Sequence, residues 1–111
     1  MPIKHTNQAP LRLLPEPDRQ TIELLFRTFS DVLIPLEQVR EQYFRNLNAE
    51  SFVKEIDSGR IQLPITTLDP SRKAPKYTHI RHLASLIDVR AYQADECMAK
   101  QKTNDRDEPI N

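Results

Sequence analysis

Residues 48–59 read Asn-Ala-Glu-Ser-Phe-Val-Lys-Glu-Ile-Asp-Ser-Gly. Asn48 is a strong helix N-cap, because its side-chain oxygen accepts a backbone N–H that the first turn leaves unpaired. Gly59 stands where a left-handed residue ends a helix, and it is the one glycine in the chain. Between them Phe52, Val53 and Ile56 are the apolar side chains. With those three turned inward, Asn48, Glu50, Ser51 and Lys54 face outward. The spacing predicts a short helix over about residues 49–58, with a narrow apolar edge and a polar face.

Upstream, Leu36, Val39 and Tyr43 recur on one face of a second helix, 36–44, with Pro35 at its first position and a strand-like Val32–Ile34 before it. A break of about four residues joins the two helices, which is the outline of a helix-turn-helix. Further upstream, Asp18 reads as the N-cap of a helix through Phe29, whose Ile22, Leu25, Phe26 and Phe29 share a face. Downstream of Gly59 the period becomes two. Ile61, Leu63 and Ile65, continuing through Thr67, predict a strand, and Tyr77–Ile80 a short return strand. The breakers Asp69-Pro70 and Ala74-Pro75 lie between them, so the pair reads as a β-hairpin with a basic tip. A fourth helix, about 81–100, carries Leu83, Leu86, Ile87, Ala91, Ala94 and Met98 as its stripe. The predicted fold is α+β and mostly helical: a helix-turn-helix with a β-hairpin and a long C-terminal helix.

The 111 residues suffice for one small domain. Four of the nine prolines fall in residues 1–17, which read as a flexible Pro-rich arm with Leu11, Leu13 and Leu14 as a possible apolar anchor. Residues 18–102 read as the working domain, and the polar residues 103–111 as a disordered tail. One glycine excludes Gly-rich phosphate cradles, and one cysteine, Cys97, excludes an internal disulfide and multi-cysteine zinc sites. No apolar run is longer than the three residues of Val32–Ile34, far short of a membrane span, and residues 1–17 hold no secretion-type apolar stretch. A cytoplasmic location, in a bacterium or an infected host cell, is expected.

Sixteen basic and sixteen acidic residues cancel. The cancellation is not local. From Arg60 to His82 there are five bases (Arg60, Arg72, Lys73, Lys76, Arg81) against one acid, Asp69. From Asp31 to Ser58 there are six acids against three bases. The hairpin is therefore the positive pole of a neutral protein, and phosphate contacts come from such clusters rather than from net charge.

The run Val32-Leu33-Ile34-Pro35-Leu36-Glu37-Gln38-Val39, with Tyr43-Phe44 after it, resembles the start of the pyocin activator (PrtN) family. Gly59-Arg60-Ile61-Gln62-Leu63-Pro64-Ile65, Pro70-Ser71-Arg72-Lys73-Ala74, and His79-Ile80 through Leu83–Arg90 follow in that family's order. The likeness covers about Leu25–Ala94. It implies a phage- or prophage-type transcriptional activator on promoter DNA. More distantly the layout is similar to AlpA and excisionase proteins, which implies a MerR/excisionase-like winged helix. Arg72 departs from the family's usual Gln, His82 from its usual acid, and Lys76-Tyr77-Thr78 replaces a segment that usually holds Gly.

On this reading Asn48, Glu50, Ser51 and Lys54 reach base edges or nearby phosphates from a major groove. Ser71, Arg72, Lys73, Lys76 and Tyr77, in a wing of about residues 68–77, contact the backbone or minor groove. Ala91, Ala94 and Met98 form an oligomer contact, giving a homodimer or higher oligomer on double-stranded DNA. The acidic faces holding Glu37, Glu41, Glu55 and Asp57 are candidates for contact with RNA polymerase. No cofactor is expected. His79 and His82, spaced i, i+3, lack a third ligand, so no metal is expected. Scattered Ser, His and Asp residues form no catalytic motif, so the chain reads as a non-enzyme. Two alternatives remain: an excisionase-like architectural DNA-binding protein, and a protein-binding adaptor or anti-repressor with no DNA binding.

Overall fold

The computed structural model describes residues 14–107, with side chains described as far as Gln101. Most of the expected arm and the last four residues lie outside that range. Helix α1, Arg19–Phe29, begins at Asp18, whose Oδ1 accepts from the Gln20 N–H at 3.0 Å. It ends at Ser30, held left-handed at φ 63°, with the Ser30 N–H on the Phe26 carbonyl. Leu25 is buried and Ile22 and Phe29 are partly so. Phe26, expected on the inner face, is instead 47% exposed. It lies one residue beyond Leu25, about 100° further around the helix, and rotates out of the apolar seam.

Asp31 turns the chain into β1, Leu33–Pro35, by accepting from the Val32 and Leu33 N–H groups. Helix α2, Leu36–Tyr43, follows at once, so Pro35 is its N-cap and not its first helical residue. Leu36 and Val39 are buried, and Tyr43 sits at the edge with its ring 6.3 Å from Phe29. Helix α3, Ala49–Asp57, starts as expected at Asn48, whose Oδ1 accepts from the Ser51 N–H at 2.8 Å. Gly59 follows at φ 86°, and a Cβ there would meet no atom within 4 Å. The backbone conformation, not crowding, is what requires glycine.

Strand β2, Tyr77–His79, pairs antiparallel with β1 in the register Leu33↔His79, Ile34↔Thr78 and Pro35↔Tyr77. This corrects the expected hairpin. Residues 61–67 do not form a strand. Their link to the return strand is a single antiparallel bridge, Thr66↔Tyr77, with both N–H···O bonds made at 2.7 and 2.9 Å. The reason is local: Pro64 has no N–H to give, and the Leu63 N–H turns back onto the Ile61 carbonyl. The alternation still sets burial, with Leu63 buried and Ile61 and Ile65 packed against the core.

Helix α4, Ile80–Asp107, is 28 residues long, about 42 Å at 1.5 Å per residue. It extends past both the expected helix end at Lys100 and the start of the expected tail at residue 103. Ile80, Leu83 and Ala84 enter the core beside Leu25, Ile34, Leu36, Val39, Phe52 and Leu63. Asp88 ties α4 to α1, accepting from the Asp18 N–H and the Thr21 hydroxyl, both at 2.7 Å. Its negative charge sits at the start of α1, where the helix dipole favours it. The result is an α+β, mostly helical unit with a two-stranded antiparallel sheet and a long C-terminal helix, compatible with a winged helix-turn-helix.

Candidate nucleic-acid interface

Helix α3 hangs from the core by Phe52, which is 1% exposed and stacks at 4.8 Å on Phe44. Val53 and Ile56 pack beside it. That anchoring leaves Asn48, Glu50 and Lys54 exposed and Ser51 half-buried. Asn48 has one role already: its oxygen is engaged as the cap, so its amide hydrogens are the part it can present outward.

The turn before α3 is held by a residue that pattern reading left on a polar face. Arg40, on α2, donates from Nη1 to the Leu47 carbonyl at 2.7 Å, and from Nε and Nη2 to Glu37. One guanidinium thus joins α2 to the backbone immediately before the Asn48 cap, fixing the angle at which α3 leaves. Its only advance signal is the i, i+3 spacing of Glu37 and Arg40. The hydrogen bonds from Arg40 hold the Glu37 carboxyl below its usual range, and Arg40 itself is raised.

At the other end of α3, Arg60 pairs with Glu55 at 2.8 Å. This contact lowers the Glu55 carboxyl and raises Arg60. Arg60 is therefore neutralised locally and drops out of the positive pole. Glu37 and Glu55 are likewise occupied, which leaves Glu41 and Asp57 as the exposed acids outside ion pairs on these two helices besides Glu50.

The wing is a loop between Thr66 and Tyr77, shaped by its own side chains. Asp69 Oδ1 accepts from the Ser71 N–H at 2.7 Å, and Ser71 Oγ accepts from the Lys73 N–H at 3.0 Å. The Ala74 N–H closes onto the Ser71 carbonyl, and Ala74 is buried. These turns leave Arg72, Lys73 and Lys76 exposed. None of the three is in an ion pair among the described residues. Ser71 keeps its hydroxyl hydrogen for donation, while Tyr77 is half-buried in β2 with both backbone groups on Thr66. Among the described residues no hydrogen bond or ion pair joins an α3 side chain to a wing side chain.

His79 accepts through Nδ1 from the Arg81 N–H at 3.0 Å and so caps α4; its ring lies 5.8 Å from that of His82. Among the described residues no group of three or more His, Cys, Asp or Glu side chains is placed to hold a metal. No helix among them is long and apolar enough to cross a membrane. Ala91, Ala94 and Met98 are all exposed, as is every residue from Arg90 to Gln101, Cys97 included.

Helices α2 and α3, with a basic, self-closed loop beside the sheet, are compatible with a winged helix-turn-helix. The family described as pyocin activator protein PrtN matches residues 21–94, and the chain belongs to that family. The match runs from Thr21, the third residue of α1, to Ala94, a few residues into the exposed part of α4, with the wing inside it. Its description makes the class a transcriptional activator. No curated protein and no solved structure matches the chain.

Proposed function

We propose that this activator is a sequence-specific DNA-binding protein, with α3 in a major groove and the wing on the backbone or in the minor groove of promoter DNA. The observation that carries this reading is the division among the basic residues. Arg40 and Arg60 are consumed in ion pairs, whereas Arg72, Lys73 and Lys76 stand exposed on one short loop with no ion pair among the described residues. Unpaired cations on a self-closed loop suit phosphate oxygens, which need charge and reach more than fine register. Ser51 and Lys54 on the rigid helix suit base edges, and Glu50 can accept from a cytosine amine.

The chain acts without catalysis or cofactor, in the cytoplasm, and occupies its site as a dimer or higher oligomer through the exposed outer part of α4. Glu41 and Asp57 are the acids we assign to contact with RNA polymerase.

Binding measured against salt tests the wing. Arg72→Ala with Lys73→Ala flattens the log–log salt slope by about 1.8 per subunit, at roughly 0.9 per phosphate contact. Affinity falls evenly on specific and random DNA. Ser51→Ala and Lys54→Ala instead relax discrimination, each by ~1–3 kcal/mol per lost base contact. A wild-type chain with no salt-dependent DNA binding at all overturns this reading in favour of a protein-binding adaptor. Cooperative occupation of tandem sites with strong bending turns it toward excisionase-like architecture.

A further inference from the structure

Where α4 leaves the body, an open groove of about 790 Å³ runs along it. Its walls are Tyr43 and Phe44 at the end of α2, the 59–62 connection, and Leu86, Ile87 and Arg90 of α4. Leu86 and Ile87 are only half-buried there. The same face of α4 continues past the body. Ile87, Arg90, Ala94, Cys97 and Gln101 recur at intervals of three, four, three and four, the spacing of a helix–helix seam, with Ala91 and Met98 beside it. Every residue from Arg90 to Gln101 is exposed, so α4 carries a groove at its root and an uncovered seam towards its tip, on one line.

We propose that the occupant of this groove is the tip of α4 from a second copy, so that two α4 helices pair antiparallel and each tip fills the other's groove. This rests on the dimer of the preceding reading and adds its direction, register and socket. The register sets Ile87 against Cys97, and Arg90 against Ala94, of the second copy. Two-fold symmetry makes each contact twice. Met98, an adaptable side chain, enters the groove beside Cys97 and covers apolar surface that Leu86 and Ile87 leave open. Charge selects the direction. In the antiparallel pair each Arg90 faces a small alanine, and Glu96 of the second copy lies two residues further along, about 3 Å, within reach of the guanidinium. Neither Arg90 nor Glu96 is in an ion pair among the described residues. A parallel pair would set Arg90 on Arg90 and leave both grooves open. Sliding the antiparallel pair inward by one heptad would press Arg90 onto Ile87 of the second copy and bury a charge. Sliding it outward by one heptad would carry Cys97 and Met98 past the groove.

Ile87→Cys, in an otherwise unchanged full chain held with oxidised glutathione, tests direction and register together. A species of dimer mass is expected, and trypsin should release from it residues 82–90 disulfide-linked to residues 91–100. It should form at least about tenfold faster than a wild-type dimer, whose Cys97 residues stand about 15 Å apart along the axes, beyond the ~7 Å between α-carbons that a disulfide spans. Because Ile87 is half-buried, a second pair of chains uses exposed positions only. Arg90→Cys with Cys97→Ser is mixed with Ala94→Cys with Cys97→Ser, and the mixed disulfide is expected over either homodisulfide. A Cys97–Cys97 disulfide forming as readily in the wild-type chain makes the dimer parallel, which overturns the proposal and leaves the dimer standing. Failure of both designs to cross-link in a chain that sediments as a dimer overturns it equally. Sedimentation as a monomer, with and without DNA, overturns the dimer reading as well.

Discussion

Helix α3 and the wing are both proposed to touch DNA, yet they are built by opposite means. Helix α3 has nine residues, an Asn48 cap, a guanidinium clamp on the turn before it, and Phe52 almost wholly buried. The wing has one bridge at its base, two turns closed by Asp69 and Ser71, and Ala74 as its buried apolar residue. The contrast matches what each is proposed to do. Reading a base edge needs a donor placed within a few tenths of an ångström, which only a core-anchored helix provides. Neutralising a phosphate needs a cation within reach, and a loosely held loop provides that.

The largest effect that sharpens this contrast is on stability. Phe52→Ala empties the space under α3 and costs about 3–5 kcal/mol, enough to unfold much of so small a domain. Its counterpart in the wing, Ala74→Gly, removes one methyl group and loosens the backbone, costing about 1 kcal/mol. Urea denaturation of the two variants measures both. Similar losses would mean that the wing is as much a part of the cooperative core as α3.

Arg40 comes next. Arg40→Met keeps most of the buried stem but leaves the Leu47 carbonyl without its charged donor. Loss of this charge-assisted hydrogen bond lowers stability, by less than Phe52→Ala does. More telling is the binding phenotype: discrimination between specific and random DNA falls, while the salt slope set by the wing stays constant. A changed slope with intact discrimination would reverse the roles given to the two regions.

Thr78 gives a smaller effect of opposite sign. It is fully buried opposite Ile34 at the base of the wing, and its hydroxyl oxygen has no hydrogen-bond partner among the described residues. Thr78→Val replaces it with an apolar group of the same shape and stabilises the domain by about 1 kcal/mol. A loss on thermal melting would show that the hydroxyl is satisfied.

The same contrast explains what the sequence made legible. Asn48 and Gly59 bracket α3 because capping and left-handed termination are local and residue-specific, so its position is read within a residue. Strand pairing is not local. The partner of Tyr77–His79 is Leu33–Pro35, more than forty residues upstream, and alternation in residues 61–67 pointed to the nearer neighbour. Alternation reports burial, which Leu63 obeys, but not which backbone groups pair. Arg40 and Asp88 were missed for a related reason: each acts through a backbone group brought to it by the fold. Ser30 adopts a left-handed turn usually given to Gly or Asn, so composition offered no sign of it. For the proposed DNA contacts, the sequence located the basic cluster, but only geometry separates Arg60, already paired, from Arg72 and Lys73.

The last difference between the two regions is in their caps. Asn48, which starts α3, does not titrate; His79, which ends the wing's return strand and caps α4, does. Burial, and secondarily the charge of Arg81, holds the His79 imidazole below its ordinary 6.5. The neutral ring is also the form whose Nδ1 accepts from the Arg81 N–H. As pH falls through about 6.5 the unfolded chain takes up this proton before the folded one, so the unfolded state gains. The contribution of His79 is therefore complete above the ordinary value, declines as pH drops toward the lowered one, and is constant below it. His79→Asn keeps an acceptor oxygen at the cap and removes the titration. The fall in Tm between pH 7.5 and pH 5.5 should be smaller in that variant than in the wild type, a window above the lowered Glu37 and Glu55 carboxyls. Hydrogen exchange at the Arg81 amide should speed up at pH 5.5 relative to the Ser51 amide in the wild type alone, once both are corrected for intrinsic rates. Equal falls in Tm, with no change in the ratio of the two amides, would mean that the base of the wing is as indifferent to pH as the start of α3.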